Sequence, residues 1–522
     1  MNTLKRRAAL QASGAYLPAD AVQRRKQARS LQVSDSETAN PACVIGPGQR
    51  CEHSLVDADL NRQLFVYEQG VRARFASVVG TLKQISAMQH EADFVASAQR
   101  IALDRLDYTL PEALLGRAWV GGLDMRALHA HCQFNAARQC VRLAPSEQAP
   151  WHERLPLQPE LIATCGFHTV DITPCADGRL QGVVPYVFRM AQSPNVWVKA
   201  YAGAMFDIEA DMADWAQREV ERLSGAFDNL PCLSGDLNYL KIAVYHFSSA
   251  HTHEQGCAFH ASNDKQAVES AQARLDELRL AIERTYGRGA APAVLLIGVD
   301  TDLDSLRIHL PDGDGDVNAY RYVDTAELYR DTVGLSAAQA RELIAARVDD
   351  AQAMQCWGQG RGQMGAGMRR LVLALAEANL SQIEYVIHHH AGRYQTIGHD
   401  EEFICAGEAI PDVQLRNLFY FAHLDTVEEG AADMDVGIKI FRGLNVRNGL
   451  AVPILVHFCH SSRVPGSRDR AVARARRVRD AIVARYADLH QRGFIACQMA
   501  VSDRHGDERC AFIDDQPADS GH

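Results

Sequence analysis

Residues 165–182 read CGFHTVDITPCADGRLQG. The run HTVDIT, 168–173, has the β-branched residues and period of a strand, and it leads into Cys175-Ala176-Asp177-Gly178-Arg179. If the chain stays extended there, residues 175, 177 and 179 point the same way. A thiolate is a soft zinc ligand. A carboxylate two residues on can take a proton from water at a metal, and a guanidinium can hold that carboxylate in place. Cys-x-Asp-x-Arg is therefore a compact plan for one ligand, one proton acceptor and one orienting cation. It is also short enough to arise by chance, so it needs a second ligand cluster.

Residues 241–264, KIAVYHFSSAHTHEQGCAFHASND, supply one. An alternating apolar run comes first, then His246, His251, His253, Cys257 and His260. One imidazole and the Cys257 thiolate would complete a site of two cysteines and one histidine. Three protein ligands leave a fourth position open, the catalytic arrangement of zinc; a structural site would show close pairs such as Cys-x-x-Cys, and the chain has none. The residues alone leave the choice of histidine open. They also leave open a bland alternative, with Cys257 a small core residue and the histidines solvated in a loop.

Several longer runs carry a resemblance: PCADGRL, YLKIAVYHFSSA with GCAFHASND, LLIGVDTDLDSLRIHLPD, YRYVD, IGH, QLRNL, FAHLDTVEE, DVGIKIF and VPGSR. In this order, over roughly residues 40–490, the chain resembles the carboxysomal carbonic anhydrases of α-carboxysomes, a divergent branch of the β-class. The resemblance implies one zinc ion per chain on Cys175, His246 and Cys257, with Asp177 and Arg179 as the catalytic pair. Common β-class enzymes use His-x-x-Cys for two ligands. Here Glu254 stands three residues before Cys257, and the wider spacing of the carboxysomal branch fits His246. His246 also ends a strand-like run, a firmer platform than a loop, whereas His251 and His253 lie beyond it. His399, in IGH, matches a family position near the site; a helix cap or core hydrogen bond is the alternative role.

The chain has 522 residues, 47% hydrophobic and 23% charged, the composition of a soluble globular protein of two to four domains. No run of ~20 apolar residues predicts a membrane span. A net charge of −11 argues against general nucleic-acid binding. The first 30 residues run the other way, with Lys5, Arg6, Arg7, Arg24, Arg25, Lys26 and Arg29 against Asp20. Such a stretch, poor in large apolar residues, reads as a disordered basic arm for an acidic partner, or as a solvated tail. Arg6-Arg7 does not read as an export signal, because Gln and Ser interrupt the stretch AALQASGAYLPA after it. Thirteen scattered cysteines do not form a secreted disulfide framework and fit reduced thiols in the cytoplasm. Cys132, Cys140, Cys232, Cys356, Cys405, Cys459 and Cys497 read as small apolar residues.

The fold expected is α/β: an N-terminal helical domain, a β-carbonic-anhydrase-like zinc domain, and a degenerate second copy of it. The expected divisions are a tail at 1–50, a helical domain at 51–150, the catalytic domain at 151–398 and the metal-free copy at 399–522. Strands are predicted at 168–173, 241–247, 293–300 and 305–310, with a helix at 264–286 capped by Asn263 and followed by Gly287. In the last part VGIKIF (436–441) and PILVHF (453–458) read as strands, and 466–490 as an Arg-rich helix. ILVHFCHSS faintly echoes IAVYHFSSA, and HLDTVEEGAADMD echoes HTVDITPCADGR without its cysteine. Asp300-Thr301-Asp302-Leu303-Asp304 reads as a turn, lacking the glycine and terminal glutamate of a calcium loop. His388-His389-His390 reads as strand or surface histidines, since contiguous side chains diverge.

By resemblance, the chain interconverts CO2 and bicarbonate for Rubisco inside the α-carboxysome, in the bacterial cytoplasm. Its partners would be Rubisco or shell proteins, met through the tail, and copies of itself in a homodimer or higher homo-oligomer; no nucleic acid or membrane is expected. Two alternatives are kept. Another zinc hydrolytic enzyme, such as a deaminase, would need His-x-Glu and Pro-Cys-x-x-Cys; Pro174-Cys175 is present but no Cys-x-x-Cys follows. A non-catalytic carboxysome adaptor would use tail and surfaces alone.

Overall fold

The computed structural model describes residues 53–116, 121–143, 150–231, 237–252, 255–356, 362–394, 400–410, 413–424, 434–506 and 510–513. They fall into two compact units. One holds the described residues up to Leu64 and those from Pro150 to Tyr394; the other holds Phe65 to Leu143 and those from 400 on. The basic tail, His253 and His399 lie outside the described residues.

The first unit is built on a six-stranded sheet: β1 (Phe167–Pro174), β2 (Val196–Val198), β3 (Asn238–Phe247), β4 (Ala293–Asp300), β5 (Leu306–Pro311) and β6 (Val317–Asp324), in the order β2-β1-β3-β4-β5-β6. The first four are parallel and the last two antiparallel. β1 is buried along its whole length, as a strand covered on both faces must be. Helices Ile208–Leu223 and Asp264–Tyr286 pack against β3; Ala337–Cys356 packs on β5 and β6, and Ala366–His389 on β5. Asn263 caps the second of these helices by accepting from the Gln266 amide, and Gly287 follows its end. Tyr245 on β3 lies across Gly298 on β4, where a Cβ would come within 2.4 Å of the phenol ring. The strand order reverses between β1 and β3. Open α/β sheets hold ligands at the carboxyl ends of the strands flanking such a reversal.

The second unit has helices Phe94–Leu106 and Met125–Leu143 and the greater part of Ala58–Ala87, with a five-stranded sheet. Its strands are β7 (Phe403–Gly407), β8 (Phe419–Ala422), β9 (Val452–His460), β10 (Ile495–Asp503) and β11 (Ala511–Ile513), in the order β11-β10-β9-β7-β8. Read from β8, this is the order of β2-β1-β3-β4-β5, with the same four parallel strands and an antiparallel fifth. The likeness extends to single hydrogen bonds. Cys175 N donates to Val244 O as Glu408 N does to His457 O, and Thr301 N donates to Phe247 O as Arg504 N does to His460 O. The second sheet is thus a shortened copy of the first.

Three sequence expectations change. VGIKIF lies in helix Asp435–Leu444, whose buried Gly437, Ile438 and Phe441 follow a helical spacing; a short apolar run does not distinguish the two periods. The counterpart of β1 is β7, not the 423–435 segment, and the hydrogen bonds match His246 to Cys459 rather than to His457. His388 and His389 end the helix Ala366–His389 rather than a strand, with His388 on the surface as the alternative reading had it.

Candidate metal centre

β1 ends at Pro174 and delivers Cys175 to the carboxyl edge of the sheet, where its amide donates to Val244 O of β3. His246 is the penultimate residue of β3, paired with Val299 of β4 and fully buried. Cys257 returns to the same edge at the start of a 3-10 turn, Ala258–His260. The Cys175 and Cys257 sulfurs are 3.8 Å apart. With a ring nitrogen of His246, the potential ligand atoms all lie within 4.8 Å of one another. Among the described residues this is the one group of three or more metal-type side chains so arranged.

Among the described residues neither ring nitrogen of His246 has a hydrogen-bond partner, although the residue is out of water. A buried imidazole left this way is costly, and a cation between it and two thiols removes the cost. Two soft sulfurs and one imidazole form a donor set that suits zinc. The residues therefore fit the ion that the motif implies. Cys175 is held well below the ordinary thiol value, first by its hydrogen bond with Cys257 and also by the adjoining imidazole, against the effect of burial. The Gly203 amide also donates to the Cys175 sulfur, at 3.2 Å.

Asp177 and Arg179 form a closed pair beside these side chains, both buried. Arg179 Nε donates to Asp177 Oδ1 at 2.9 Å and Nη2 to Oδ2 at 2.7 Å, while the Arg179 amide also donates to Oδ1. Asp177 Oδ2 faces the His246 ring, 3.7 Å from Nε2. The guanidinium is anchored on its far side, Nη1 donating to Gln255 O at 2.7 Å and to Thr301 Oγ1 at 3.4 Å, and Nη2 to Gly256 O at 3.3 Å. Burial works against its charge, but Asp177 and the two sulfurs outweigh that and hold it firmly protonated.

The five residues singled out at 175, 177, 179, 246 and 257 thus converge at one strand edge. His251 sits in the loop after β3, and His260 is buried nearby with its Nε2 unpartnered. Burial pushes His260 below the ordinary imidazole range. Sequence reading passed over Gly203, Thr301 and the carbonyls of Gln255 and Gly256. Nothing in YAGAM marks a backbone donor to a distant thiol. In the second unit, Glu408 occupies the place of Cys175 and accepts from Arg504 Nη2 at 2.7 Å. An ion pair fills that corner.

Models of one protein family match most of the chain. The model of the carboxysome shell carbonic anhydrase catalytic domain matches residues 158–399, the C-terminal model of that family 400–517, and its N-terminal model 53–144. A carboxysome shell carbonic anhydrase of Halothiobacillus neapolitanus is 41% identical over 468 residues, 88% of this chain and 90% of the relative. One from Prochlorococcus marinus is 39% identical over 485 residues, 92% of each chain. One from Parasynechococcus marenigrum is 40% identical over 458 residues, 87% of this chain and 77% of the relative.

Proposed function

We propose, from the premise that the chain belongs to the carboxysome shell carbonic anhydrase family, that Cys175, His246 and Cys257 hold one zinc ion and that Asp177 and Arg179 work beside it. The chain is an enzyme that interconverts CO2 and bicarbonate in the carboxysome. The observation that carries the site assignment is the convergence of two thiols and an unpartnered buried imidazole on a carboxylate locked by arginine.

When bound, zinc would supply Lewis acidity at Cys175, His246 and Cys257, lowering the pKa of water toward neutrality. The side chains do the rest. Two thiolates donate more charge than imidazoles would, and the Gly203 N–H draws some of it back from Cys175. Asp177 Oδ2, turned toward His246, accepts the proton that water gives up. Arg179 favours the anionic carboxylate and fixes its direction with two parallel hydrogen bonds. Burial of the pair keeps bulk water from competing for those bonds.

The same reading divides the chain into a tail at 1–50, a helical domain at 51–150, the catalytic domain at 151–398 and a metal-free copy at 399–522. It places the enzyme in the cytoplasm, inside the α-carboxysome, where its product supplies Rubisco. The basic tail would dock on Rubisco or a shell component, and whole chains would associate as a homodimer or higher oligomer. The charge of the tail supports this: seven basic residues against one acidic in the first 30 is an arm for an acidic surface, and its contacts should weaken with salt.

Stopped-flow CO2 hydration with parallel zinc analysis tests the site. Asp177→Asn and Arg179→Ala should retain zinc and lose about 10²–10⁴-fold in turnover, the usual worth of a positioned proton acceptor. Zinc-loaded Arg179→Ala with parental turnover from neutral to mildly alkaline pH would refute the role of the pair.

A further inference from the structure

Asp302 lies in the turn after β4, 2% exposed and outside the group of metal-type side chains. Its Oδ2 accepts from Ser248 Oγ at 2.9 Å and Ala250 N at 2.7 Å, with Ser249 Oγ at 3.4 Å. Among the described residues its Oδ1 has no partner. A carboxylate oxygen left unsatisfied at that depth is costly.

The hydrogen bonds lead from this carboxylate to the catalytic pair. Ser248 Oγ, donating to Asp302, accepts from His251 N at 3.0 Å. His251 O accepts from Gln255 N at 3.1 Å. Gln255 O accepts from Arg179 Nη1 at 2.7 Å, and Arg179 Nη2 donates to Asp177 Oδ2. Thr301, next in sequence to Asp302, reaches the same Nη1.

The second unit provides an internal control. Asp300 accepts from the amides of Ser249 and Asp302; at the matching corner Asp503 accepts from the amides of Ser462 and His505. The first aspartate of the turn is common to both units and belongs to the fold. The second is Asp302 where the metal-type ligands converge, and His505 where an ion pair fills the corner.

We propose that Asp302 is a positioning residue that acts through Ser248, His251 and Gln255 to hold Arg179, and with it Asp177, in the geometry proton transfer needs. The inference rests on Asp177 and Arg179 being the working pair. It is tested in the full-length enzyme with Asp302→Ala, Asp302→Asn, Ser248→Ala, Arg179→Ala and the Asp302→Ala/Arg179→Ala double variant. Zinc content, kcat and KM are measured for each.

Asp302→Ala should keep its zinc and its KM while kcat falls about 10- to 100-fold, the scale of a small misplacement of a reacting group. Asp302→Asn should recover part of the loss, because an amide oxygen can still accept from Ala250 N. The double variant should be no slower than Arg179→Ala alone, since both changes act through one guanidinium. A purely structural aspartate would multiply the two losses, and that result overturns the inference. Should Asp302→Ala fail to fold, Ser248→Ala breaks the same path on the loop side; parental kcat in that variant is the overturning result. Slow Arg179→Ala with normal Asp302→Ala defeats the positioning role alone, whereas normal Arg179→Ala defeats the catalytic pair and the inference with it.

Discussion

Gly203 sits at φ +68°, and a Cβ there would lie 2.5 Å from the Phe259 ring and 3.1 Å from His260 Nε2. Only glycine fits this place and turns its N–H onto the Cys175 sulfur. Gly203→Ala should therefore weaken zinc binding about 10- to 100-fold, as loss of an outer hydrogen bond to a ligand does. Competition with a chelator measures that loss, and parental affinity would show that the N–H does not tune the thiolate. The convergence of Cys175, Asp177 and Arg179 was legible because they are near neighbours of different chemistry at the end of one strand. Gly203 was not, because its contribution is a backbone N–H aimed by tertiary packing. Asp302 was legible only as a turn, since its partners lie more than fifty residues away.

β1, β3 and helix Ile208–Leu223 are tied together by charges taken out of water. Asp171 on β1 accepts from Lys241 of β3 at 2.9 Å and from the Tyr239 hydroxyl at 2.7 Å, and it pairs with Lys199 at 3.0 Å. Both lysines also reach Asp211 of the helix. Burial alone would raise Asp171, but Lys199 and Lys241 hold it well below the ordinary carboxylate range. Its folded value thus lies below the unfolded one. The stability it contributes is present above about pH 4 and is lost as the pH falls further. Asp171→Asn should cost about 3–5 kcal/mol at neutral pH, because it leaves buried lysines short of a partner. Its thermal midpoint should also fall less than the parent's between pH 5 and pH 3; an unchanged slope would remove Asp171 from the acid response. At this scale the strands at 167–174 and 293–300 were legible from apolar alternation or a bounded apolar run. The helix at 435–444 was not, because ten residues with three buried apolar positions satisfy either period.

Over the whole molecule, two sheets share one strand order, and only the first brings metal-type side chains together among the described residues. Duplication was faintly legible in IAVYHFSSA and ILVHFCHSS, but hydrogen bonding was needed to find the register that sets Cys175 against Glu408. Glu408 and Cys459 stand at the positions of Cys175 and His246, while the backbone pairing that builds the edge is the same. Glu408 and Arg504 neutralise each other where the first unit presents a thiol and Thr301. Metal analysis of the purified full-length chain therefore tests the central claim most directly. The account predicts one tightly bound zinc per chain, lost in Cys175→Ser, Cys257→Ser and His246→Ala and kept in His251→Ala. Two tightly bound ions per chain, or full retention in the two cysteine variants, would contradict it.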